Sequence, residues 1–258
     1  MKTKTYSPLA LAAGLLLTSG TFNLIQAQAI TNASSPKSET GLALQYFTQI
    51  GNGKGNLDEY LKSIRPVGVS AEQRARLVAS IRKEDIVAPS PERQIKLNAL
   101  RPVLEYHERA AVEVKILHFP IPLAWAGFLE GAAVVVSEDA LDLLTAEELQ
   151  AVIAHELGHE YFAAEFESAR KNKQWNKVKE VELRCDAISI ITMKSLGLNP
   201  DSLVSGVSKL TKFNEGHGVK SNPNLVTSLD DRLNFCKTMV KLTESTAATS
   251  QPIAGKRP

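Results

Sequence analysis

Two histidines four residues apart, His155 and His159, enclose Glu156, Leu157 and Gly158, and that spacing dictates the local backbone. Side chains at i and i+4 leave the same face of an α-helix, so a helical segment here aims both imidazoles at one metal ion. Glu156, a single residue step round, reaches a metal-bound water without ligating the ion. The helix is announced upstream by Thr145, a candidate N-cap, and Glu148, which completes a capping box ahead of Leu149, Val152 and Ile153.

Three protein ligands and one open position describe a catalytic zinc site, whereas structural sites are closed by four ligands, often thiolates. A third ligand is therefore required. Glu182, 23 residues after His159, is the best-placed candidate because it falls on the next expected helix. Asp186 follows one turn later on the same side, where a carboxylate can accept the other N–H of a ligand histidine. Glu165, Glu167 and Glu180 compete for the role, but only Glu182 has an aspartate at that offset. His217, in Asn214-Glu215-Gly216-His217-Gly218, reads first as a surface histidine and second as a candidate oxyanion stabiliser. His107 and His118 have no partners at ligand spacing and are expected to be structural.

The elements around the motif can be read from periodicity and punctuation. Val112–Leu117 alternates as a strand does, and Trp125–Leu129 and Ala132–Val136 read as a hairpin about Glu130-Gly131. Ser137 caps a short helix, Glu138–Leu144, and the motif helix is expected to run past Phe166. A second long helix, Asn176–Leu196, carries Val178, Val181, Cys185, Ile188 and Thr192 at helical spacing and stops at Gly197 and Asn199-Pro200. A last helix spans Asp230–Leu242. Upstream, short helices are expected over Leu42–Ile50, Leu57–Ile64, Ala71–Lys83 and from Pro91 to about Arg109. The domain plan is thus a helical region over 30–110, read as a supporting layer rather than a propeptide, a metal domain over 111–243, and a disordered tail over 244–258.

Residues 1–29 read as a signal peptide, with Lys2 and Lys4 ahead of a short apolar run, Leu9–Leu17, and Ala27-Gln28-Ala29 as the cleavage site. The apolar run is shorter than the roughly 20 residues a membrane span needs. An exported protein, periplasmic or extracellular and without stable membrane insertion, is expected. Removing this segment leaves 28 basic against 28 acidic side chains. A neutral chain has no bulk electrostatic reason to bind nucleic acid or anionic lipid. The two cysteines, Cys185 and Cys236, are candidates for one disulfide in an oxidising compartment. Such a bridge would close a loop of about 50 residues, worth roughly 4 kcal/mol in the chain-entropy account.

From Val112 to about residue 240 the chain resembles the CAAX-prenyl-protease and HtpX-like zinc metallopeptidases of the gluzincin clan. The matching pieces are Val134-Val135-Val136-Ser137, Leu143-Leu144-Thr145-Ala146-Glu147-Glu148-Leu149, Val152-Ile153-Ala154 leading into the histidine motif, and Glu182-Leu183-Arg184-Cys185-Asp186. The resemblance implies an α+β, mainly helical, zincin-like fold with a small sheet packed on the motif helix and a following ligand-bearing helix. It implies one zinc ion held by His155, His159 and Glu182, with Glu156 catalytic and Asp186 in support. Arg232, in Leu229-Asp230-Asp231-Arg232-Leu233, matches a late arginine that the family places near the site. Trp125-Ala126 stands where the family often has Asn-Ala, Val226-Thr227 replaces a His-Pro pair, and the transmembrane helices of many relatives have no counterpart. The expected activity is endoproteolysis of unfolded or extended polypeptide paired with a strand edge. The rival is a chaperone-like binder of unfolded envelope proteins.

Overall fold

In the computed structural model, residues 39–51, 57–219, 222, 225 and 227–249 are described. The signal-peptide segment and the last part of the expected tail lie outside them. The chain begins with helices α1 (Glu39–Gly51), α2 (Leu57–Ser63) and α3 (Ala71–Ala79), then strand β1 (Ile86–Val87) and helices α4 (Pro91–Asn98) and α5 (Arg101–Tyr106). Strands β2 (Glu113–Leu117), β3 (Ala126–Leu129) and β4 (Ala133–Ser137) follow. The remaining helices are α6 (Glu138–Leu143), α7 (Ala146–Tyr161), α8 (Ala163–Lys171), α9 (Trp175–Ser195), α10 (Asp201–Gly216) and α11 (Leu229–Thr249). The architecture is α+β and mainly helical, with one four-stranded sheet among the described residues.

The sheet order is β1-β2-β4-β3, with β2 and β4 parallel and the outer pairs antiparallel. The expected hairpin pairs Leu129 with Ala133 and Ala126 with Val136, which leaves β3 at an edge. Its turn is possible because Gly131 sits at φ 76° and because a Cβ there would lie 2.8 Å from the Glu160 carboxylate. Ser137 does two jobs: its hydroxyl caps α6 at Ala140 N–H and accepts from Trp125 N–H at 2.8 Å, holding the start of β3.

Helix α7 opens with the expected capping box and runs between two cores. Leu149, Val152, Ile153, Ala154 and Leu157 pack under Val134, Val136 and Ala126 of the sheet. Ala151 instead joins a helical core with Val181, Ile188 and Ile191 of α9, Phe235 and Met239 of α11, and Ala43, Tyr46 and Leu61 of the N-terminal helices. A helix buried on nearly every side shows little amphipathic pattern and is held by its neighbours rather than by propensity. Residues 39–63 therefore share the core that supports the motif helix.

Several elements differ from the sequence expectation: α3 stops at Ala79 rather than Lys83, and β1 and α10 have no counterpart in it. The motif helix does not pass Phe166: it ends at Tyr161, because Phe162 takes φ −123° with its ring buried beneath the Arg184 guanidinium at 3.9 Å. The segment from Pro91 is two helices, parted at Ala99-Leu100. The last helix continues to Thr249, since nothing between Leu242 and Pro252 supplies a glycine or proline stop.

Candidate metal centre

His155 and His159 leave one face of α7, their ring centroids 5.1 Å apart and their planes at 87°. What brings α9 against that face is Gly158, where a Cβ would lie 3.0 Å from the Cα of Cys185 and 3.1 Å from its Cβ. With only hydrogen there, the two helices approach closely enough for α9 to present side chains at helical spacing. Glu182, Cys185 and Asp186 point towards the two imidazoles.

The Glu182 carboxylate meets both of them. Its Oε2 lies 3.6 Å from His155 Nε2 and its Oε1 3.7 Å from His159 Nε2. Nitrogen and oxygen donors about 2.0–2.2 Å from a tetrahedral ion stand about 3.4 Å from one another, so each carboxylate–imidazole separation is close to what a shared zinc ion requires. Glu156 lies beside it: its carboxylate and the two imidazoles offer ligand atoms all within 4.8 Å of one another. The competing acids are engaged elsewhere or point outward. Glu165 pairs with Arg184 at 2.7 Å, Glu167 with Arg170 at 3.5 Å, and Glu180 is exposed.

Behind His155 stands a second layer. Asp186 is fully buried, and its Oδ1 accepts from His155 Nδ1 at 2.7 Å. Arg232 of α11 grips the same carboxylate with both prongs, Nε to Oδ2 at 2.7 Å and Nη2 to Oδ1 at 2.6 Å. Burial works against the charged form of Asp186, yet Arg232 and His155 hold its carboxyl well below the usual range. Burial likewise disfavours the His155 imidazolium, but Asp186 and Glu182 outweigh it and raise that group to about 9 in the metal-free protein. Glu156 is pushed up, by burial first and by Glu182 as well, against the pull of the two imidazoles. Glu182 is held down by His159 and His155 despite its burial. Two carboxylates facing the same imidazoles thus differ in proton affinity, a pattern associated with catalytic sites.

Residues 89–168 match the model of peptidase family M48. This match supports a metallopeptidase of the zincin type, a class that generically uses zinc. It spans the sheet from β2 to β4 together with α4 to α7 and most of α8, and so includes His155, Glu156 and His159. It ends before Glu182, Asp186 and Arg232, whose relation to the M48-like segment is shown by the distances alone. No curated protein matches the chain significantly.

The structure does not bring His217 to the imidazoles. The residue follows α10, is exposed, stacks on Phe213 at 4.3 Å and places Nδ1 2.8 Å from the Phe213 carbonyl. The expected Cys185–Cys236 bridge is not formed: both are buried free thiols. Cys185 faces α7, with Sγ 3.6 Å from His159 Nδ1, whereas Cys236 lies on the Asp186 side of α9, one residue step round the helix. His107 is structural, buried between Tyr161 Oη at 2.8 Å and Thr192 Oγ1 at 3.0 Å. His118 pairs with Glu138 at 2.7 Å.

Two residues near the site escaped sequence reasoning. Asn214 of α10 clamps Ala124, accepting from its N–H and donating to its C=O, each at 2.9 Å, and so holds the approach to β3. Phe166 of α8 packs edge-on against His159 at 5.3 Å. Neither carries a local signal, since each acts on a residue in a different element.

Proposed function

We propose that this chain is a zinc-dependent metalloendopeptidase of the CAAX-prenyl-protease and HtpX-like kind, exported to the periplasm or beyond, that cleaves unfolded or extended polypeptide. The observation that carries the reading is the placement of both Glu182 oxygens, 3.6 and 3.7 Å from the two Nε2 atoms, with the Glu156 carboxylate alongside. His155, His159 and Glu182 would hold the ion. Zinc, when bound, supplies a Lewis acid that polarises the scissile carbonyl and makes a water molecule easier to deprotonate.

The chain's own groups do the rest. Glu156, one step round α7 from the ligands, takes a proton from the attacking water on its carboxylate oxygen and returns it to the departing amine nitrogen. Asp186, locked by Arg232, holds the proton of His155 on Nδ1, so that Nε2 is the nitrogen left for the ion on the side where Glu182 lies. Among the described residues strand β3 pairs only with β4 and sits over α7, so its outer edge offers backbone groups to an extended substrate. Pairing through main-chain hydrogen bonds reads extension more than side-chain identity. That favours unfolded chains as substrates. No described helix is long and apolar enough to cross a membrane.

The test is Glu156→Gln. The wild type should cleave denatured casein, lose that activity to a chelator and regain it with zinc. The variant should bind zinc equally and cut nothing. A zinc-loaded wild type that binds casein without cleaving it would overturn the proposal in favour of a holdase.

A further inference from the structure

Helix α9 meets the two imidazoles with three consecutive members of one face, Glu182, Cys185 and Asp186, at i, i+3 and i+4. Their contacts divide cleanly. Glu182 faces the Nε2 atom of both rings. The Nδ1 atoms, on the far side of each ring, turn to the other two: His155 Nδ1 to the Asp186 carboxylate at 2.7 Å, and His159 Nδ1 to the Cys185 sulfur at 3.6 Å. We propose that Cys185 is a positioning residue for His159, its sulfur accepting the Nδ1–H and thereby presenting Nε2 to the metal.

The inference rests on the zinc reading above and adds an asymmetry to it. A histidine that binds a metal through one nitrogen donates the other N–H to a partner that fixes ring and tautomer, typically a carboxylate, carbonyl or water. His155 has the strong form of that arrangement, a carboxylate itself gripped by Arg232. For His159 the partner is a thiol, a weak acceptor. The sulfur does not compete for the ion in this geometry, because it lies across the ring from Glu182. Nor can it drift: Cys185 is fully buried, and its backbone is pressed against α7 at Gly158. Phe166 bears on the same imidazole at 5.3 Å, so one contact sets the ring's rotation and the other limits its tilt. His159 is accordingly the more weakly held of the two imidazoles.

Three forms of the full chain decide the matter: wild type, Cys185→Ala and Cys185→Ser, each checked for folding by circular dichroism. Zinc affinity is read by competition with a chromogenic chelator, the cobalt-substituted visible spectrum reports ligand geometry, and nitrogen NMR of labelled histidine reports which ring nitrogen carries the proton. In the wild type, His159 should hold its proton on Nδ1 with Nε2 coordinated. Cys185→Ala should lose about tenfold in zinc affinity, shift the cobalt spectrum and let the His159 Nδ1–H exchange faster. Cys185→Ser, which keeps an acceptor at a longer gap, should fall between the two and decides the question if the alanine form does not fold. Zinc binding within twofold of wild type in the folded variants, or coordination of His159 through Nδ1, overturns the inference and leaves the metallopeptidase reading standing. A wild type that does not bind zinc overturns both.

Discussion

Replacing Gly158 by alanine sets two effects of known size against each other. In an isolated helix the change is favourable by about 1 kcal/mol, since alanine is the better helix former. At this position the new Cβ would stand 3.0 Å from the Cα, 3.1 Å from the Cβ and 3.3 Å from the carbonyl oxygen of Cys185, where ordinary contact begins at 3.4 Å. These are mostly backbone atoms of a buried helix, so no flexible side-chain tip can swing aside. Helix α9 must back away from α7 by about 0.5 Å, and overpacking of this kind costs about 1–3 kcal/mol. The net expectation is a loss of about 1 kcal/mol.

The consequence for the metal is larger than for the fold. Glu182 rides on the helix that moves, and its oxygens already stand 3.6 and 3.7 Å from the imidazoles. Metal sites tolerate displacements of only about 0.2 Å in ligand distance. Zinc affinity should therefore fall about tenfold or more while urea unfolding of the metal-free protein shifts only slightly. The assay pairs chelator competition with urea unfolding on the same preparation. A Gly158→Ala variant that is more stable by the propensity increment and binds zinc as the wild type does would refute the claim that close approach of these helices assembles the site.

Asp186→Ala removes the counter-ion of Arg232, whose side chain is 18% exposed, and should cost about 3 kcal/mol in urea unfolding of the metal-free protein; a loss below about 1 kcal/mol would mean that water replaces the carboxylate. Asn214→Ala leaves both polar groups of Ala124 without their partner. It should destabilise by about 1–3 kcal/mol and raise KM for an unfolded substrate more than it lowers kcat, which steady-state kinetics reads directly. His107 is held down to about 3 by burial first and then by Arg65 and Arg109, against an ordinary value of 6.5. Between those values the unfolded chain binds a proton that the folded protein refuses, so the contribution is complete above pH 6.5 and is lost as pH falls towards 3. His107→Asn should be less stable at pH 7 but show a flatter decline on acidification, and parallel curves for the two proteins would refute the assignment.

What could be read from the chain and what could not follows from where the information lies. The motif helix and its partner were legible because chelation and helical period coincide. His155 and His159 are four apart, Glu182 and Asp186 are four apart, and an ion shared by the imidazoles and Glu182, with Asp186 behind His155, would demand two helices side by side. The Thr145 cap is equally local. Helix α10 is not legible from Asn199-Pro200, because a proline that stops one helix equally suits the start of the next. The break at Phe162 depends on Arg184, 22 residues on, seating its guanidinium over the ring. The cysteines show the same limit: counting them permits a bridge, but only the placement of α7 and α11 around α9 decides that Cys185 turns one way and Cys236 approaches the other. Gly158 is the instructive middle case. A glycine inside a helix that must be rigid is locally unfavourable, and here that cost is offset by the close approach of Cys185. The motif names the glycine, but what it makes room for lies 27 residues further on and is settled by packing.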